Sequence, residues 1–158
     1  MTVLRRILLS SDIDVSKIAE DCKLYYTATS RVNPNKGSLG SPVVKNAYDD
    51  GNGIIYTKHP ITELGSSVFK DCTALISIEI PANVTNMASS VFYNCASLKY
   101  VRIEDSYNSL YCGSNVIFKE GIPLETLYLG RNVNTTHLFS NINTLTNVII
   151  GNSVTNIV

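Results

Sequence analysis

Residues 68–80, VFKDCTALISIEI, are answered at 91–103 by VFYNCASLKYVRI, with valine, phenylalanine, cysteine, leucine and two closing apolar positions returning at one constant offset. The matched pairs are Phe69 and Phe92, Cys72 and Cys95, Leu75 and Leu98, Ile78 and Val101, and Ile80 and Ile103. The comb returns at a slightly longer interval as Phe118, Leu124, Leu127 and Leu129, and then at a slightly shorter one as Phe139, Leu145, Val148 and Ile150. A unit this short cannot bury an apolar face alone, so the spacing predicts about four copies stacked on one another.

Each copy contains one short alternating segment, SIEI, YVRI, TLYL or NVII, and alternation is the signature of a half-buried strand. Turn-prone residues follow: Pro81-Ala82-Asn83, Glu104-Asp105-Ser106, Gly130-Arg131-Asn132 and Gly151-Asn152-Ser153. With Leu75, Ile78, Ile80 and their equivalents turned inward, the outward positions are Ser77 and Glu79, Tyr100 and Arg102, Thr126 and Tyr128, and Asn147 and Ile149. These eight residues form the candidate partner-binding face. Tyr100 and Tyr128 carry most of its contact potential, and Glu79 and Arg102 fall where a cross-strand charge pair is expected. Four strands spaced about 4.8 Å apart make a face only about 14–19 Å wide.

Phe69, Phe92, Phe118 and Phe139 recur on the return segment and are expected to fill the core as a spine. Cys72 and Cys95 are expected on adjacent coils, as buried thiols capping backbone groups or as a disulfide. Gly121 and Ile142 take the same place in the later copies, so no cysteine ladder runs through the chain.

Period, strand pattern and cysteine together resemble the leucine-rich repeat, and more closely its BspA-like bacterial subfamily. The resemblance is carried by ITELGSSVFKDCTALISIEIP at 61–81, VTNMASSVFYNCASLKYVRI at 84–103, PLETLYLGRN at 123–132 and LTNVIIGNSVTNI at 145–157. KLYYTATS and NGIIYTKHPIT look like the β-rich segment that often precedes such repeats. The expected fold is a leucine-rich repeat solenoid with short parallel β-strands on one face, turns and short helical segments on the return side, and a small β-rich N-terminal cap. Residues 1–23 are read as a leader or short helix, 24–60 as the β-rich capping module, and 61–158 as the repeats, the last of which starts with VTNIV and stops.

The resemblance implies a non-enzymatic protein–protein recognition module of the surface-adhesion type, with a host or extracellular matrix protein as partner and a cell-surface or secreted location. The alternative is a structural spacer or assembly element of a longer repeat protein with no ligand of its own. A solenoid needs a polar terminal cap and none follows VTNIV, which leaves two expectations: the chain is a fragment of a longer array, or its open C-terminal solenoid edge pairs with another molecule, self-association included.

Composition narrows the chemistry further. Thirteen basic and thirteen acidic side chains cancel and only 16% of residues are charged, which argues against nucleic acid, whose phosphates demand a concentrated basic field. No apolar run approaches the roughly 18 residues of a membrane span. MTVLRRILLSS places two arginines before ILL, far short of the roughly 7–15-residue apolar region of an export signal, so none is read there. Cys22, Cys72, Cys95 and Cys112 lack paired zinc spacing, and no metal or cofactor is expected. His59 and His137 stand in no nucleophile–base signature, and no catalytic residue is assigned. Asp49 and Asp50 in YDDGNG read as a hairpin tip.

Overall fold

The computed structural model describes residues 13–34, 39–113, 118, 121–134 and 142–156. Among the sequence readings, Phe139, His137, segment 1–12 and the last two residues of VTNIV lie outside them. Two 3₁₀ turns, Val15–Lys17 and Glu20–Cys22, lead into the first strand. They are separated by Ile18 and Ala19, whose extended backbones keep the two turns from merging into one helix.

Ten strands follow: β1 (Lys23–Ala28), β2 (Val43–Asp49), β3 (Asn52–Thr57), β4 (Glu63–Leu64), β5 (Leu75–Ile80), β6 (Asn86–Met87), β7 (Tyr100–Ile103), β8 (Tyr111–Cys112), β9 (Thr126–Arg131) and β10 (Asn147–Ser153). Seven form one sheet in the order β10-β9-β7-β5-β1-β3-β2, and β4-β6-β8 form a second. From β5 to β10 the pairing is parallel, because each coil brings the chain back in the same direction. β1 runs antiparallel to β5 and to β3, so the β-rich segment occupies the edge of β5. β2 and β3 are joined by Asp50 and Gly51, with φ of 41° and 83°, the left-handed pair that a two-residue hairpin requires.

The coils are a β-solenoid of the expected leucine-rich repeat class, with one difference on the return side. Where short helical segments are expected beside turns, the described residues hold turns and the β4-β6-β8 ladder, and no helix. Ser67 and Asp71 adopt left-handed backbone conformations, and Ser90 and Asn94 repeat them one coil later. Each such residue breaks helical geometry, and short polar side chains tolerate that region best. Asn94 Nδ2 donates to Asp71 Oδ1 at 2.8 Å, while Phe69 N–H and Asp71 N–H donate to the Val91 and Tyr93 carbonyls. The return turns are thus hydrogen-bonded from coil to coil as the strands are.

Between the two sheets lies a continuous apolar core. Leu75, Ile78 and Ile80 fill it from β5, Leu98, Val101 and Ile103 from the next coil, and Leu124 and Leu127 from the one after. Phe69, Phe92 and Phe118 are fully buried and stack with ring centroids 5.8 and 5.4 Å apart. Beside them Cys95 Sγ–H donates to the Phe69 carbonyl at 3.0 Å. All four cysteines are free; burial pushes the Cys95 and Cys112 thiols up to about 12 and that of half-buried Cys72 to about 11, which disfavours the reactive thiolate in these three.

In β10 the inward positions depart from the pattern. Val148 and Ile150, equivalents of Ile78 and Ile80, are 49% and 45% exposed, because β10 ends the strand order and, among the described residues, has a neighbour on one side only.

Arg131 is the feature that sequence reasoning missed. Its place in GRN suggests a turn residue open to water, yet it is 0% exposed. Its guanidinium donates to the carbonyls of Pro81 (2.7 Å), Ala82 (2.9 Å), Val84 (2.6 Å) and Glu104 (3.1 Å), tying three successive post-strand turns together. Desolvation lowers its pKa, with Glu104 and Asp105 opposing, and an arginine so placed stays charged.

Candidate interaction face

Strand register fixes which outward side chains become neighbours. Ser77, Tyr100, Thr126 and Asn147 are successive partners across β5, β7, β9 and β10, and Glu79, Arg102, Tyr128 and Ile149 form the adjacent row. Ser77 through Tyr128 are half-buried by their neighbours, and Asn147 and Ile149 are exposed. Both rows continue beyond the repeats. Thr27 pairs with Ser77 and with Asn52, while Tyr25, one step on from the Tyr26–Ile78 pair, faces Glu79 and pairs with Ile54. The face therefore spans seven strands, about 29 Å, rather than the 14–19 Å expected from four. Tyr25, Thr27, Asn52 and Ile54 belong to it although the repeat pattern assigns them no place. Their alternation in KLYYTA and NGIIYT marks them as strand residues, but nothing in those segments announces pairing with β5.

The expected Glu79–Arg102 pair is present only as a through-space attraction between strand neighbours, without a salt bridge. The two are cross-strand partners, yet Arg102 lies over the Tyr128 ring, 4.0 Å from its centroid, and pairs with Asp105 at 3.9 Å. Tyr128 donates its hydroxyl to the same Asp105 carboxylate at 2.6 Å, which raises the phenol's pKa. Arg102 is drawn to Asp105 because one shift satisfies a carboxylate and a ring face together. Gly151 makes this geometry possible: a Cβ there would stand 2.5 Å from Asp105 Oδ1 and 2.8 Å from the Tyr128 hydroxyl. Elsewhere on the face, the hydroxyls of Thr27 and Ser77 are bonded at 2.6 Å across the β1–β5 boundary. The Tyr25 phenol is pushed up to about 12 by burial and by its hydrogen bond to Glu20, which is itself tied to Lys23 at 2.8 Å.

No group of three metal-ligating side chains occurs among the described residues, and no helix there is long and apolar enough to cross a membrane. The face offers aromatic rings, paired charges and hydroxyls on a rigid sheet, chemistry suited to contact.

Short coils of similar length, a parallel strand per coil and an inward leucine comb define a leucine-rich repeat solenoid. The family model described as the BspA type leucine rich repeat region (6 copies) matches residues 47–158, and the chain belongs to that family. The match begins within β2, inside the segment read as the cap, so the family pattern reaches beyond the four copies visible in the comb. No curated protein and no solved structure matches the chain.

Proposed function

We propose that this chain is a non-enzymatic recognition module that presents the outward face of its seven-stranded sheet to a protein partner. The observation that carries this reading is the Arg102–Tyr128–Asp105 cluster, in which an aromatic ring and a guanidinium are held in place at the middle of the repeat rows. Tyrosine and arginine are the side chains most enriched where interfaces concentrate their binding energy, and rings already immobilised lose little entropy on contact. Surface adhesion to a host or extracellular matrix protein is the role we assign to such contact, in keeping with BspA-type repeats.

Tyr100→Ala combined with Tyr128→Ala tests the reading in a pull-down from a lysate of host cells or matrix. Loss of a captured protein with an unchanged melting curve supports the face, and capture undiminished by the double substitution removes it. A second reading, assembly with further copies, is favoured by Val148, Ile149 and Ile150, all exposed on β10 at the end of the sheet.

A further inference from the structure

An open groove of about 340 Å³ lies where the parallel strands meet the antiparallel ones, lined on the outward side by Tyr25, Thr27, Asn52, Ile54, Ser77 and Glu79. Strand direction reverses between β1 and β5, and the register shifts between Thr27 and Ala28. The polar groups around the groove are mostly committed: Thr27 to Ser77, and Tyr25 to Glu20, itself bound to Lys23. Glu79 is the exception. It is half-buried, it attracts its cross-strand neighbour Arg102 only through space because that guanidinium is seated against Tyr128 and Asp105, and among the described residues its carboxylate makes no salt bridge or hydrogen bond.

A carboxylate partly withdrawn from water, with no cation in direct contact and beside an aromatic and an aliphatic wall, favours a ligand that is cationic at its tip and apolar along its body. That describes an arginine or lysine side chain. The volume suits one side chain, at the small end of the roughly 300–1,000 Å³ range of ligand sites. Building on the recognition reading above, we propose that this groove receives one basic side chain of the protein partner, its charge on Glu79 and its stem between Tyr25 and Ile54. The groove then selects which partner docks, while the Tyr128 cluster supplies contact area beside it.

N-acetyl-arginine amide titrated into the full chain tests this by ¹H–¹⁵N NMR, with N-acetyl-citrulline amide as the uncharged isostere. Saturable shifts are expected at amides of β1, β3 and β5 around the groove, with a Kd of about 1–10 mM for so small a probe. The citrulline compound, and the arginine compound with Glu79→Gln, are each expected to bind about two- to fivefold more weakly, the order of one exposed ion pair. Should Glu79→Gln lower the melting temperature, Tyr25→Leu replaces it, with the same weakening expected. Absence of saturable shifts, equal binding of both compounds, or binding indifferent to the substitution overturns the proposal. These outcomes leave the wider reading intact if capture still depends on Tyr100 and Tyr128. Conversely, arginine binding that persists when capture is indifferent to Tyr100 and Tyr128 removes the wider face and keeps the groove.

Discussion

Arg131 carries a charge into the interior, and among the described residues its guanidinium forms no ion pair there. Its desolvation is offset by four backbone carbonyls, each of which would otherwise lose a donor in a poorly hydrated place. Arg131→Met keeps the stem and deletes every one of those bonds. It should destabilise by at least about 2 kcal/mol, since leaving one buried acceptor unmade costs about 1–3 kcal/mol, a melting shift of at least roughly 4–8 °C. Arg131→Lys is expected to recover only a minor part, because one ammonium cannot span from Pro81 to Glu104 as a fork does. A thermal melt of both variants decides it: full rescue by lysine would mean that charge alone matters. None of this is legible in GRN, because carbonyl partners leave no mark on the sequence. The inward leucines and isoleucines, by contrast, are legible from a two-residue alternation that returns on schedule.

At the scale of elements, the return segments are held as firmly as the strands. Phe92 lies between Phe69 and Phe118 and is fully buried, so Phe92→Ala removes a ring from the middle of a stack and leaves a cavity. The expected cost is about 3–5 kcal/mol, measured by chemical denaturation, and a midpoint equal to that of the parent would refute the packing role. The repeating strands and their outward rows can be read from spacing, since parallel coils preserve register from copy to copy. The joining of β1 to β5 cannot: it depends on antiparallel pairing between segments far apart in the chain, which alternation alone does not specify. That join is why Tyr25 and Ile54 escape a sequence reading of the face. The close partner of Arg102 is missed for a related reason, since Asp105 lies in a turn outside the strand register. The helical return expected from the family resemblance gives way at Ser67, Asp71, Ser90 and Asn94, whose left-handed backbones permit only turns.

For the whole molecule, the two edges of the large sheet differ. Among the described residues β2 has one neighbour and carries Lys45 and Asp49 among its side chains, whereas β10 has one neighbour and exposes Val148, Ile149 and Ile150. Uncharged apolar edges invite pairing, and charged ones resist it. The chain is therefore expected to associate as its concentration rises, and Ile149→Lys to restore the monomer with little change in melting temperature. Sedimentation over a hundredfold concentration range checks this, and a parent that stays monomeric throughout would rule out pairing at β10. The antiparallel β1 has a second effect, on inheritance. Because it pairs with the edge of β5, a further parallel coil cannot join the sheet at that edge while β1 stays in place, whereas the β10 side has room for one. A lineage could then lengthen or shorten the rows of Arg102 and Tyr128 without disturbing Tyr25 beside Glu79, so that reach and selectivity are free to evolve apart.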